Sequence, residues 1–502
     1  KILRFEADKI GYPSNFTIYD MDDSKSLLRT IIKELKLDDK VYKPNLIQRR
    51  ISAAKNGLVS AKEYQKDTTI YNDDLQAKKP LLGKIYGIYE NRCFRAGAMD
   101  FDDLLFKTNI LLKQHADVLI KYQNKFRYIL VDEFQDTNYS QSNILKMLAA
   151  RHENICVVGD DAQSIYAFRG ANIQNILQFQ SIYPDAVVFK LEQNYRSTKM
   201  IVEAANQIIL KNQEQLKKNV WTSNDSGDKI KLIKCLSETE EGNFIANEIL
   251  ETKENKNLTE ESFAILYRTN AQSRAIEEAL RRKNIHYRIY GGLSFYQRKE
   301  IKDLLAYFKM CVNPNDEEAF KRILNYPARG IGQTTKDKIT IAASEEGISP
   351  WKLIMNLKGA HLPINAGTTK KISEFCDLIQ SFQVMAETAN AYDLGNHIAS
   401  TTGMLREFYV DKSPEGVSKY ENIQELLSGM KEFTEIEIET EELEVNNPRS
   451  LGKFLEDVAL LTDVDAKDSK DDERPKVSMM TIHSAKGLEF PYVFIAGLEE
   501  EL

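Results

Sequence analysis

Five short apolar runs, each closed by polar or glycine residues, constrain this chain more than any other feature. They are Tyr128-Ile129-Leu130-Val131, Ile155-Cys156-Val157-Val158, Ala186-Val187-Val188-Phe189, Phe263-Ala264-Ile265-Leu266-Tyr267 and Tyr492-Val493-Phe494-Ile495-Ala496. Runs this short and this uniformly apolar predict strands buried on both faces, the habit of parallel sheets. Several lead into helical patterns. Ser197 to Leu210 is one, with Ser197 placed to cap it and Ile201, Ala204, Ala205 and Ile208 on one face. Strands alternating with helices predict doubly wound α/β domains, in which ligands sit beyond the carboxyl ends of the strands. The polar residues just after each run are therefore the ones to read for chemistry.

Two stretches break the rhythm. Residues from about 20 to 100, and again from about 293 to 475, are mostly helical in pattern. The second contains an acidic segment, Glu435 to Glu444, and a polar stretch, Asp463 to Arg474, which read as a solvated face and a flexible linker. At 502 residues the chain can bury several cores. Its net charge of -7 argues against a passive duplex coat, which would be basic overall, but leaves room for a local basic groove. Five scattered cysteines with no C-x-x-C clip suit a reducing compartment and speak against zinc or iron–sulfur sites. No stretch approaches the roughly 18 apolar residues of a membrane helix, and no secretory segment opens the chain, so the expectation is a cytoplasmic protein with no membrane partner.

The strand ends carry the chemistry. Val131 is followed by Asp132-Glu133-Phe134-Gln135-Asp136. Neighbouring side chains on a strand point to opposite faces, but at the turn beyond it both carboxylates can face one pocket. Asp132 suits Mg²⁺, which prefers oxygen ligands and keeps much of its water. Glu133 suits polarising the water that attacks a terminal phosphate. An isolated Asp-Glu pair would more often be solvated surface; the strand before it and Gln135-Asp136 after it favour function. A second segment runs from Val157 through a turn at Gly159 to Gln163, Tyr166, Phe168 and Arg169. Gln163 can hydrogen-bond a phosphate or its attacking water. Two rings beside an arginine suit stacking of unpaired bases, roughly 1–3 kcal/mol per base, although either ring alone would read as core. In a third, Leu191 to Ser197, Arg196 can neutralise charge on a transferring phosphoryl group or simply pair with Glu192, and Tyr195 offers a nucleobase a flat face. In a fourth, Met480 to Phe490, the Lys486-Gly487 turn can present backbone N–H groups to a phosphate and Glu489 can accept from a sugar hydroxyl. A lone His483 would more often be structural.

Taken together and in this order, the strings D-E-F-Q-D, G-D-x-x-Q-S-I-Y and H-x-A-K-G-L-E-F resemble the UvrD/PcrA/Rep branch of superfamily 1A DNA helicases, closest to the PcrA/UvrD type, through essentially the whole chain. The resemblance implies two RecA-like P-loop NTPase domains, parallel sheets flanked by helices, each with a mostly helical inserted accessory domain. The expected divisions are 1–18 with 101–195 (1A), 19–100 (1B), 196–292 with 476–502 (2A) and 293–475 (2B). It implies an ATP-dependent single-stranded DNA translocase and 3′→5′ helicase acting in repair or replication, with ATP and Mg²⁺ as cofactors. Its expected partners are single-stranded DNA, single/double-strand junctions and repair or replication proteins. By similarity Asp132 coordinates Mg²⁺, Glu133 is the catalytic base, and Gln163 and Arg196 reach the γ-phosphate. Tyr195 stacks near the adenine, and Gly487 and Glu489 contact nucleotide. Tyr166, Phe168, Arg169, Arg268, Asn270 and His483 match single-strand contacts. Arg329-Gly330-Ile331-Gly332 resembles a hairpin turn holding duplex phosphates through Gly330 and Gly332, or is an ordinary tight turn.

Two departures stand out. Close relatives carry Trp where this chain has Phe168, a smaller stacking face. No G-x-x-x-x-G-K-[ST] occurs anywhere: Gly83-Lys84 is followed by Ile85 and Gly452-Lys453 by Phe454. The family places that phosphate-cradling loop upstream of Lys1, and its last motif, with a second arginine finger, downstream of Leu502. The expectation is a chain truncated at both ends that alone binds ATP poorly. That keeps open a catalytically inactive single-strand binder. A nuclease using Asp132, Glu133 and Asp136 is the other rival, but no further carboxylate-plus-lysine strand completes a two-metal site.

Overall fold

The computed structural model describes residues 1–290, 295–357, 362–411, 413–435, 449–461 and 474–499. The chain forms two compact units. One comprises Lys1–Val131, Thr137–Val157 and Phe295–Asp463; the other comprises Asp132–Asp136, Val158–Ser294 and Val464–Leu502.

The first unit carries two small parallel sheets. Strand β1 (Thr17–Tyr19) pairs with β2 (Ala98–Asp100), and β3 (Ile129–Val131) with β4 (Ile155–Val157), with Val131 opposite Val157. Helices start where the sequence supplies acceptors for orphan N–H groups. Asp20 caps Met21–Glu34 in a reciprocal box with Asp23, and Asp100 does the same for Phe101–Gln114 with Asp103. Asn138 boxes with Gln141 ahead of Tyr139–Ala149, the helix that follows the Asp-Glu turn. Between β1 and β2 the chain is helical, and Leu27, Leu28 and Ile31 pack with Ile85, Tyr86 and Tyr89. The described residues between 299 and 461 are mostly helical as well. Lys299–Val312 is buried nearly all round, as a central helix must be, through Ile301, Leu304, Tyr307 and Phe308 against Phe320, Phe375, Ile398 and Met430. Paired charges join this helical part to the segment around β1: Lys309 to Asp23 at 2.7 Å, Lys302 to Asp20 at 3.0 Å, and Arg92 to Glu317 at 2.7 Å.

The second unit is built on one parallel sheet in the order β6-β7-β5-β8, from β5 (Phe263–Tyr267), β6 (Tyr287–Ile289), β7 (Val477–Thr481) and β8 (Tyr492–Ile495). Helices Glu238–Lys256 and Ser273–Arg282 cover it through Ile245, Ile249, Ile276 and Leu280. They approach so closely that a Cβ on Gly242 would lie 2.9 Å from the Ala275 carbonyl oxygen. Ser237 caps the longer helix, whose first turn holds Glu238, Glu240 and Glu241 and whose last turn holds Lys253 and Lys256, both complementing its dipole. β5 and β7 run side by side with Tyr267 opposite Thr481, so the residues beyond their ends emerge together.

The α/β class and the two helical stretches match expectation. Three local expectations do not. Of the strands expected to be buried on both faces only β5 is, because Leu130 in β3, Cys156 in β4, and Val493 and Ile495 in β8 are exposed, with no described layer covering that side. Ala186–Phe189 forms no strand, and Phe189 is 82% exposed. A strand needs a ladder partner; in this stretch the described residues supply only the isolated bridge between Gln193 and Trp221. The helix expected from Ser197 begins at Lys199, with Thr198 at the N-cap and no side-chain cap. Its expected core face is not buried, since Ile201 and Ile208 are exposed and Val202 is the buried residue. Apart from Glu435 and Arg474, the acidic and polar segments lie outside the described residues. Among the described residues no helix is long and apolar enough to cross a membrane.

Candidate functional site

Backbone conformation sets the acidic turn. Alternation along β3 would separate consecutive side chains, but Glu133 turns left-handed at φ 50°, an unusual conformation for a non-glycine residue. Both Asp132 and Glu133 are left exposed, and Asp132 Oδ1 accepts the Glu133 N–H at 2.9 Å. Gln135 is fully buried and does two jobs. Its Nε2 donates to Glu133 Oε2 at 2.6 Å, and its Oε1 accepts the Asp160 N–H at 3.0 Å. The amide thus staples the acidic turn to the turn that follows β4. Gly159 is required for that approach, because a Cβ there would lie 2.4 Å from Gln135 Oε1 and 2.8 Å from Ile176 Cδ1. Asp160 then accepts from Gln163 Nε2 at 2.9 Å.

The loop after β7 meets all of this. Lys486 is nearly buried, with 7% of its side chain exposed, and pairs with both Asp136 and Glu133, the latter at 3.3 Å. It also donates to the Gln163 carbonyl at 2.9 Å and lies 5.3 Å from the centre of the Tyr166 ring. Three residues earlier, His483 sits among the aromatic side chains. Its ring centre is 5.0 Å from Phe168, edge to face, and 6.3 Å from Tyr166, whose hydroxyl donates to the His483 carbonyl at 2.9 Å. Arg268, just beyond β5, reaches His483 Nδ1 at 3.1 Å. Arginine can only donate, so this contact uses a lone pair of neutral imidazole. Burial, then the charges of Arg268 and Arg169, lower the His483 pKa and keep it in that form. Arg169 lies 5.5 Å from the centre of the Tyr166 ring and 5.7 Å from that of Phe168. Phe168 is 66% exposed, so it is not core. Gly487 is left-handed at φ 84°, and two residues on Glu489 pairs with Arg196.

The loop 483–489 therefore connects Glu133, Gln163, Tyr166, Phe168, Arg268 and Arg196. Other candidates are placed less tightly. Glu192, the alternative partner for Arg196, instead accepts the Asn219 N–H at 2.9 Å. Tyr195 is 76% exposed, its hydroxyl donating to Gln193. Asn270 is held at the end of β5, its carbonyl accepting from Ser273 at 2.9 Å. Gly330 and Gly332 belong to the first unit: Gly330 is left-handed at φ 70°, and Gly332 is the N-cap of Gln333–Glu346. There Asn325 Oδ1 accepts the N–H groups of Arg329 and Ile331, and Arg329 turns inward to the Ile323 and Tyr326 carbonyls.

Sequence reading misses two members. The side chain of Lys486 lies inside a recognised string, but its carboxylate partners are some 350 positions away. Gln135 stands in the acidic string without any local sign that its amide bridges two turns.

The profile of the "UvrD/REP helicase N-terminal domain" family matches residues 1–184, and that of the "UvrD-like helicase C-terminal domain" family matches residues 189–502. The chain is 41% identical over 503 residues to "ATP-dependent DNA helicase PcrA" of Bacillus subtilis (strain 168), a match covering 100% of this chain and 66% of that protein. Similar figures hold for proteins of the same name from Staphylococcus aureus (strain Mu50), at 40%, and Staphylococcus epidermidis, at 39%, again over 66% of their length. The chain thus spans just under two thirds of these relatives.

Proposed function

Because the chain belongs to the UvrD/Rep helicase family, we propose that it supplies the ATP-hydrolysing and strand-gripping parts of a 3′→5′ DNA helicase that works in repair or replication. The observation that carries this reading is the loop 483–489. It touches the acidic and amide residues suited to phosphate chemistry on one side and the ring-and-arginine cluster suited to unpaired bases on the other.

Glu133 takes the proton of a water as its oxygen bonds to the γ-phosphorus and the bond to the β-phosphate oxygen breaks, releasing ADP and phosphate. Gln163, its Nε2 held on Asp160, turns its carbonyl oxygen to that water. Arg196 neutralises the charge on the transferring group. Tyr195 offers its face to the adenine, and the Gly487 turn and Glu489 lie beside the nucleotide. The donors fit Mg²⁺ rather than a protein-caged metal. Asp132 and the buried, unpartnered Asp136 Oδ1 are oxygen donors, and the described residues hold no group of three or more metal-ligating side chains. Asp132 would hold the ion largely through water, and the ion would supply charge neutralisation at the phosphates. Phe168, Tyr166 and His483 stack bases, while Arg169, Arg268 and Asn270 hold the strand; Gly330 and Gly332 present backbone to duplex phosphates at a junction. In domain terms we keep 1–18 with 101–195 and 196–292 with 476–502 as the two RecA-like parts, and 19–100 and 293–475 as their insertions.

The sequence contains no G-x-x-x-x-G-K-[ST] loop. For these residues taken alone, the second reading is single-stranded DNA binding without turnover. The test of the main reading uses the complete protein that carries this chain. It should hydrolyse ATP faster with a single-stranded oligonucleotide and unwind a duplex with a 3′ tail, and a preference for a 5′ tail would refute the polarity. Phe168→Ala should weaken oligonucleotide binding by roughly 1–3 kcal/mol, read by fluorescence anisotropy. Unchanged affinity would remove Phe168 from the strand path.

A further inference from the structure

The segment after helix Lys199–Ile209 returns to the site and is fastened beside the residues that carry Arg196. Trp221 N–H donates to the Glu192 carbonyl at 2.9 Å, Asn194 N–H donates to the Trp221 carbonyl at 2.7 Å, and Lys190 Nζ donates to the Lys217 carbonyl at 2.7 Å. From this anchored segment Lys218 reaches across to the turn after β4. Its ammonium pairs with Asp160 and, at 2.7 Å, with Asp161. Asp161 is nearly buried, and its second oxygen accepts the Leu216 N–H at 3.0 Å. Asp160 holds the Ala162 N–H at 3.0 Å and Gln163 Nε2 at 2.9 Å.

Two adjacent carboxylates, one of them buried, repel each other unless a cation lies between them. Lys218 is that cation. Its ammonium offsets that repulsion by pairing with both, and the Asp160 carboxylate fixes the Gln163 amide. Burial works against ionisation of Asp160, yet the hydrogen bonds from Lys218 and Gln163 hold its carboxyl below the usual range. Resting on the ATPase reading above, we propose that Lys218 is a positioning residue for ATP hydrolysis. It ties the Arg196-bearing segment to the Asp160-Asp161 turn and, through Asp160, sets the side chain of Gln163 for the attacking water. It touches no reacting atom itself.

The test is a double-mutant cycle in the complete protein. Lys218→Met should lower the kcat of DNA-stimulated ATP turnover by about tenfold, with KM for ATP and oligonucleotide affinity within about twofold. Lys218→Arg, whose guanidinium can span both carboxylates, should recover most of the rate. In a Gln163→Ala background, Lys218→Met should cost much less than tenfold, because its route through Gln163 is gone and only the tie to the Arg196-bearing segment remains to be lost. If the two substitutions multiply in full, or if Lys218→Met lowers only the melting temperature, the proposal is overturned. If Lys218→Met does not fold, Lys218→Gln enters the same cycle with the same expectations. A folded Lys218→Arg as slow as the neutral variants also overturns it. An unmutated protein without DNA-stimulated turnover would refute the ATPase reading itself, and the role of Lys218 with it.

Discussion

Glu133→Gln in the complete protein is expected to lower DNA-stimulated ATP turnover by about 10²–10⁴-fold, the usual span for a general base, while oligonucleotide affinity stays within about twofold. The substitution is close to isosteric. A glutamine can keep its oxygen toward Gln135 Nε2, which donates to Glu133 at 2.6 Å, and the exposed position charges little for the change. What it cannot do is accept a proton from water. The left-handed turn at Glu133 gives this weight, because a strained backbone at a strand end persists only where the surroundings hold it. Here they are the buried Gln135 and Lys486. Steady-state kinetics with saturating oligonucleotide separates the outcomes, and turnover within a few-fold of the parent would move the base elsewhere, Asp132 being the neighbour to test.

Arg196→Ala carries the next largest expectation. Arginine fingers contribute roughly 10³–10⁵-fold to phosphoryl transfer. The lower end, about 10³-fold in kcat, is expected here, because Arg196 is an exposed side chain rather than a desolvated one. In the structure Arg196 pairs with Glu489, and Asn194 Oδ1 accepts its backbone N–H at 3.0 Å. The main chain is therefore fixed while the guanidinium is held by a single exposed carboxylate that a phosphate can outcompete. Single-turnover measurement should show slow chemistry with little change in nucleotide affinity. A loss confined to affinity would mark Arg196 as a binding contact.

Much of this was legible from pattern alone. Apolar runs of strand length locate β3, β4, β5 and β8, and the residues beyond β3 and β4, and those beyond β5 and β7, emerge together because parallel neighbours end on the same side. Periodicity also marks the two helical stretches. It misleads at Ala186–Phe189, since an apolar run becomes a strand only when another strand accepts it, and partner supply is not a local property. The same limit applies to Ile201 and Ile208: helical spacing shows that they share a face, not that anything covers it. β6 escapes notice because Tyr-Arg-Ile is too short and too mixed to alternate visibly.

In the site, residue types at strand ends disclose acid, amide and arginine, because each sits in a local string. The cations that organise them do not. Lys486 and Lys218 are ordinary lysines until folding carries them to Asp136 and Asp160. Long-range pairing of common charged residues leaves no short-range signature. The lowered pKa of His483 likewise comes from burial first and then from Arg268 and Arg169, which arrive from two other strand ends.

The loop 483–489 is one short segment contacting both the phosphate-directed and the base-directed residues, so occupancy of either set should alter the other. Linkage makes this measurable. The affinity of the complete protein for a single-stranded oligonucleotide, titrated with and without a non-hydrolysable ATP analogue and Mg²⁺, is expected to differ by about fivefold or more. Two superimposable binding curves, with the analogue shown to be bound, would contradict a site in which nucleotide and strand are read by the same loop.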